Sequence, residues 1–363
     1  MSPPGLIFVT QTVDPDDPVL GFTTGLIRAL SSRTEVAVIV NEVHGAPADL
    51  GADVVSLGKE RGLPRWRMAV HYEAAVASAC RRLKPAVLFA HMCPPFLTRA
   101  TPIIKATGTP AILWYAHLSE TPGLRAAERL ADLVATSLPT SYPRASPKVR
   151  PIGQAIDTDR YAVRSEVTAS RPIWLVALGR DSEQKDYPTM LRAVALAHEQ
   201  GVDLQLRIEG PGVRAGLAAI VADLGLDDVV TLGDGVPPAD VPDLLAAATA
   251  LVNTTRAGAT DKVVFEAMAC GRPAIASSPT FRDLLDGLPL DLRFPPGDAA
   301  ALAAAIARLA AADQATLRKT ADVGRERVVA EHSVDHWADE VIALAASLSR
   351  PARRGSASRA APG

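Results

Sequence analysis

The chain has 363 residues, sets 38 Lys and Arg against 40 Asp and Glu for a formal net charge of −2, and holds three cysteines. That length accommodates two domains of ordinary size, and the near-neutral balance gives nucleic acid no electrostatic foothold. Cys80, Cys93 and Cys270 are far apart with no C-x-x-C pair, so neither a disulfide framework nor a zinc site is expected, and a reducing cytoplasm fits.

Residues 6–10 form an apolar run with no basic segment ahead of it, which reads as a first strand rather than a secretion signal. A helix over 25–31 and a strand over 36–40 complete a βαβ start. The connection between strand and helix is long, 11–24, and contains Asp14, Asp16, Asp17 and Gly21. A dinucleotide fold would place G-x-G-x-x-G in a tight turn there, and it is absent, so Glu42 is not read as the ligand of a nicotinamide ribose. Asp14-x-Asp16 has the form of a metal-binding D-x-D, but a turn rich in Asp and Pro needs only local hydrogen bonding, and no metal is expected.

Residues 56–67, which include Arg65 and Trp66, are basic, and the next helix ends in Arg81, Arg82 and Lys84. This reads as a solvated flank, a membrane-surface face or a seat for an anionic acceptor. Strands over 86–90 and 111–116 close on His91 and His117, and a histidine at the carboxyl end of a parallel strand is placed to reach a cleft. Residues 131–137 are the expected last strand of the first domain, and the polar, proline-containing stretch 158–172 marks a boundary. A strand over 173–178 opens a second doubly wound unit and runs directly into Gly179 and Arg180, with Lys185 beyond. The strand at 204–208 leads to Glu209, Gly210, Pro211 and Gly212, whose glycines let backbone approach a ligand.

Residues 250–277 hold a strand, a polar turn, a short helix and a second strand, with Asp261 as the expected N-cap and Gly271 as the left-handed stop. A helix opening at a sheet edge aims unpaired N–H groups and a partial positive charge into the crevice, where a diphosphate can bind. Glu266, one turn further in, is placed to accept hydrogen bonds from neighbouring hydroxyls such as those of a ribose. Arg180 and Lys185 can neutralise both phosphates of a departing nucleoside diphosphate without a metal.

Residues 266–273, E-A-M-A-C-G-R-P, together with the Arg and Lys that follow Gly179, resemble the retaining, nucleotide-sugar-dependent glycosyltransferases of family 4. The resemblance implies an α/β GT-B fold, two Rossmann-like doubly wound domains facing across a cleft. Residues 1–165 would be the acceptor-side domain and 170–330 the nucleotide-sugar-binding domain; 331–350 would cross back as a helix, and 351–363 would be a disordered tail. The implied reaction moves a sugar from a UDP- or GDP-sugar co-substrate, with no other cofactor, to a hydroxyl of a small-molecule, glycan or lipid-linked acceptor. His117, Glu266, Arg180 and Lys185 form the implied catalytic set. Gly21, Gly210 and the turn Gly258, Ala259, Thr260, Asp261 and Lys262 join the donor contacts, and Asp17, His91 and Arg65 are acceptor-side candidates.

Most of that family has a further Glu eight positions before Glu266, where this chain has Gly258. The turn 257–262 resembles a bacterial subgroup with Thr-Gly-Ser-Thr-Asp-Lys, in which Asp261 or Lys262 would stand in for the missing carboxylate. A GT-B phosphorylase, a sugar-phosphate synthase, a hydrolysing sugar epimerase and a non-catalytic nucleotide-sugar-binding protein are the alternatives. The expected location is the cytoplasm, with weak peripheral association at the inner membrane face.

Overall fold

The structure, a computed structural model, describes residues 3–17, 20–45, 49–256 and 260–349. Leu6, Ile7, Phe8 and Val9 are all fully buried, so their strand is covered on both faces, as a parallel strand between helical layers must be. The first domain repeats that arrangement: β1 (Gly5–Val13), α1 (Thr23–Ser31), β2 (Val36–Val43), β3 (Asp53–Ser56), α2 (Arg65–Arg82), β4 (Ala86–His91), α3 (Pro94–Thr107), β5 (Ala111–Trp114), α4 (Pro122–Leu130), β6 (Leu133–Thr136) and β7 (Val149–Pro151). Its seven parallel strands lie in the order β3-β2-β1-β4-β5-β6-β7. The sequence reading ends this sheet at 131–137; β7 extends it, a three-residue edge strand too short to show periodicity.

The second domain holds β8 (Ile173–Leu178), α5 (Tyr187–Glu199), β9 (Leu204–Glu209), α6 (Val213–Asp223), β10 (Val230–Gly233), α7 (Val241–Ala247), β11 (Ala250–Asn253), α8 (Lys262–Ala269), β12 (Ala274–Ala276), α9 (Arg282–Leu285), α10 (Ala299–Ala311) and α11 (Gln314–His332). Its five parallel strands run β10-β9-β8-β11-β12. Strand order reverses beside β1 in one sheet and beside β8 in the other, and each reversal opens a crevice at the carboxyl ends of the strands. α11 starts at Gln314 because the Asp313 carboxylate caps it by accepting from the Thr316 N–H at 2.7 Å.

The chain crosses between the domains twice, and the crossings bond to each other. Ile156 N–H donates to the His332 carbonyl at 2.7 Å, and Val334 N–H donates to the Ile156 carbonyl at 2.8 Å. Gly153 has φ +85°, and a Cβ there would lie 2.3 Å from the Glu331 carbonyl oxygen, so the close pass of the two crossings requires glycine. Residues 160–165, which the sequence reading assigns to the first domain, pack on the second. The reason is the buried Arg272 guanidinium, which donates to Ser165 Oγ at 2.6 Å and to the Ser165 carbonyl at 2.9 Å.

After the second crossing, α12 (Val334–Ser349) lies on the first domain. Trp337 is fully buried there, edge-on to Phe89 at 5.8 Å and to Trp114 at 5.6 Å, while Arg33 pairs with Asp335 and Asp339 at the surface. The expected tail, 351–363, lies outside the described residues. No single described helix is long and apolar enough to cross a membrane.

Trp337 is therefore the anchor of the returning helix. Trp337→Ala is expected to cost about 3–5 kcal/mol in urea unfolding, the usual cost of emptying a buried aromatic site, and to lower the thermal midpoint of the first domain.

Candidate active site

The two crevices face each other across a pocket of about 430 Å³. From the first domain it is lined by the loop after β1, including Asp17, Gly21 and Phe22. The Asp17 carboxylate accepts from Leu20 N–H at 2.6 Å and its carbonyl accepts from Gly21 N–H at 3.0 Å. A Cβ at Gly21 would lie 2.7 Å from the carbonyl oxygens of both Asp17 and Pro15, so this loop folds tightly only with glycine. Asp14 and Asp16 are accounted for locally: the Asp14 carboxylate accepts from the Asp16 N–H at 3.0 Å.

From the second domain come Gly179 and Lys185 after β8, Glu209 and Gly210 at the end of β9, and Asp261, Lys262 and Glu266 around the start of α8. Gly210 serves a backbone contact within the domain, since a Cβ there would lie 2.0 Å from the Gly179 carbonyl oxygen. Lys185 Nζ is 2.8 Å from Asp261 Oδ2, and the same carboxylate accepts from Asn253 Nδ2 at 2.8 Å and from the Thr255 hydroxyl. Asp261 stands at the N-cap position of α8 but makes no side-chain cap bond, contrary to the sequence reading, because Lys185, Asn253 and Thr255 occupy its carboxylate. The N–H groups of the first turn are left without that cap, at the wall of the pocket.

Burial works against ionisation of Asp261, but Lys185, Asn253 and Thr255 outweigh it and hold the carboxyl below its usual range. Glu266 goes the other way. Burial raises its pKa, and Lys262, Tyr161 and Arg160 only partly offset that rise. Lys262 is pushed down to about 8 by burial, against the pull of Glu266. Its ammonium rests 3.5 Å from the centre of the Phe22 ring, across the gap between the domains. Thr260 crosses the same gap, its hydroxyl 2.9 Å from that of Ser141.

Other expected site residues lie elsewhere. Arg180 is exposed, does not line the pocket and makes no ion pair among the described residues, so of the expected cation pair only Lys185 is in place, already matched by Asp261. His91 is 1% exposed rather than facing the cleft. It stacks on Phe8 at 5.5 Å and on Trp114 at 6.5 Å, lies 3.2 Å from Thr10 Oγ1, and its pKa is lowered to about 3 by burial and by Lys262. The strand continues into the core one residue further than its sequence suggests, and Phe22 covers the ring edge-on. His117 is exposed beyond β5, where its Nδ1 accepts from Ser119 N–H at 2.9 Å, outside the pocket wall. Arg65 is exposed at the start of α2 and does not line the pocket. Gly258 and Ala259 lie outside the described residues.

Residues 172–312 match the family model described as glycosyl transferases group 1. The D-inositol 3-phosphate glycosyltransferase of Pseudarthrobacter chlorophenolicus is 33% identical over 111 residues, 28% of this chain and 26% of that protein, so the match spans about a quarter of the curated relative. Among solved structures, Anabaena HepE in complex with UDP has a TM-score of 0.71 at 17% identity, covering 94% of this chain and 100% of that one. Sucrose-phosphate synthase from Thermosynechococcus elongatus has a TM-score of 0.68 at 18% identity, covering 95% and 99%. These likenesses, with the two parallel sheets, show the GT-B fold.

The group 1 segment contains every pocket residue contributed by the second domain except Arg160 and Tyr161, which precede it. Sequence reasoning missed both by treating them as linker. The available signal was a large aromatic residue in an otherwise polar stretch, and its hydroxyl interacts with Glu266.

The Lys185 and Asp261 side chains are 16% and 18% exposed, so their pair is well shielded from solvent. Asp261→Ala leaves Lys185 unmatched and is expected to destabilise the second domain by about 3 kcal/mol. Because the folded carboxyl titrates below the unfolded one, its contribution is complete above the unfolded value, about pH 4, and is lost as pH falls through the folded value. Denaturation of wild type and Asp261→Asn across pH 2–6 is expected to show their gap closing toward the acid end.

Proposed function

We propose that the protein transfers a glycosyl group from a nucleoside diphosphate sugar, most simply a UDP-sugar, to an acceptor hydroxyl with retention of anomeric configuration and without a metal. The observation that carries this reading is the single pocket joining the Gly21 loop, the opening turn of α8, Lys185 and Glu266 across the two GT-B domains.

The chemistry follows from the positions. The open N–H groups of the first turn of α8 receive the diphosphate, and Lys185, oriented by Asp261, supplies positive charge beside it. Arg180, unpaired on the same turn, adds the second charge when its side chain folds in over the ligand. Glu266 takes the ribose hydroxyls; burial raises its pKa, and Lys262, Tyr161 and Arg160 only partly offset that rise. Val236, Pro238 and Val241 give an apolar seat for the base. Asp261 acts by holding Lys185 rather than by touching the sugar, so the subgroup resemblance at this turn is met by a charge pair. By the same resemblance, the leaving phosphate deprotonates the acceptor on the face from which it departs. Anabaena HepE, a structural neighbour solved with UDP and with UDP-glucose, supports the uridine choice.

The reading places the protein in the cytoplasm. On α2, Trp66 is 64% exposed, with Arg65 and Arg67 beside it, and this face would meet a membrane surface.

UDP added in the presence of a chelator is expected to raise the melting temperature, since a ligand of the folded state alone stabilises it. Glu266→Ala and Lys185→Ala are expected to weaken UDP by about tenfold each, the range for a lost charge-assisted bond. If neither UDP nor GDP shifts the melting temperature of the wild type, the reading fails.

A further inference from the structure

α8 separates the proposed donor pocket, which Glu266 lines, from a larger interdomain cavity of about 830 Å³ on the Phe265 side. Among the described residues the donor pocket is lined by three cationic side chains, Arg160, Lys185 and Lys262. Two already have oxygen partners: Lys185 is paired with Asp261 at 2.8 Å, and the Arg160 guanidinium donates to the Pro238 carbonyl. Lys262, the first residue of α8, is the third. Its Nζ makes no hydrogen bond and no ion pair among the described residues, and it lies 3.5 Å from the centre of the Phe22 ring.

The acids in the same wall are engaged elsewhere. Glu209 is paired with Arg207 at 2.7 Å, Asp17 accepts from the Leu20 N–H at 2.6 Å, and Asp261 is held by Lys185, Asn253 and Thr255. Glu266, one turn along α8, attracts the Lys262 ammonium without forming an ion pair with it, and Tyr161 bonds to its carboxylate. An ammonium carries three N–H donors, and an aromatic face answers them more weakly than charged oxygen does. Lys262 is half-buried and faces the pocket, so its ammonium is open to an occupant.

We propose that Lys262 is a diphosphate-binding residue whose resting partner is Phe22: its ammonium lies on the ring in the empty protein and leaves the ring for a diphosphate at the start of α8. The identity of that diphosphate as part of a sugar donor rests on the transfer reading, whereas the exchange of partners requires only the diphosphate itself. Lys262 then supplies the positive charge that Lys185, already matched by Asp261, gives only in part. Phe22, at the N-cap position of α1, loses its cationic contact with α8 at the moment the ligand arrives.

Calorimetric titration of the full chain with UDP and with inorganic pyrophosphate, each with a chelator present, tests this through a double-mutant cycle. Lys262→Met is expected to weaken both ligands at least about tenfold, and Lys262→Arg to recover most of that loss. Phe22→Leu, which removes the competing ring, is expected to strengthen both by about threefold, and the same change made together with Lys262→Met is expected to have no effect. Circular dichroism and thermal melting report that each variant is folded. Equal affinity in wild type and Lys262→Met, or any effect of Phe22→Leu other than a gain confined to the protein that retains Lys262, overturns the proposal. Pyrophosphate binding that follows the cycle without any UDP binding supports it while removing the transfer reading, and UDP binding indifferent to Lys262 does the reverse. Binding of neither ligand overturns both.

Discussion

The Asp261 carboxylate ties together three parts of the second domain: Lys185 from the turn after β8, Asn253 at the end of β11, and Thr255 in the loop that leads to α8. A buried carboxylate with fewer partners would be costly, and Lys185 alone would be an unmatched ammonium. Because each satisfies the other, the opening turn of α8 is held at the mouth of the crevice without a side-chain cap over its N–H groups. The arrangement of the pocket depends on that exchange, since a capping Asp261 would have closed the anion-binding end of the helix.

The two chain crossings determine how the domains meet. They run side by side, joined by backbone hydrogen bonds at Ile156, and Gly153 allows them to touch. Trp337 then fastens the returning helix into the first domain, so the second crossing cannot slip. Both interdomain cavities open beside this connection or across from it.

Much of this was legible in the residues. Strands buried on both faces announce themselves as unbroken apolar runs, as at Leu6 to Val9 and Leu251 to Val252, and the glycines and polar residues that end them mark the crevice edge. Short edge strands such as β7 leave too few residues for a pattern. Side-chain partners were harder to read, because they depend on contacts far apart in the chain. Asp261 has the sequence position of a helix cap, but Lys185, 76 residues away, claims it. His91 ends an apolar run as a cleft histidine should, but Phe22 from a distant loop covers it. Tyr161 and Arg160 look like linker until the fold brings them to Glu266.

The Lys262 ammonium lying on Phe22 has an effect beyond its own contact. Such a cation over an aromatic face attracts by about 0.5–2 kcal/mol, and here the ring and the charge belong to different lobes of the molecule. The lobes are thus drawn together before anything enters between them. Any anion that captures this ammonium must displace it from the ring, so part of the affinity is spent on freeing the lobes to move, and a tightly held guest need not leave behind a tightly shut protein.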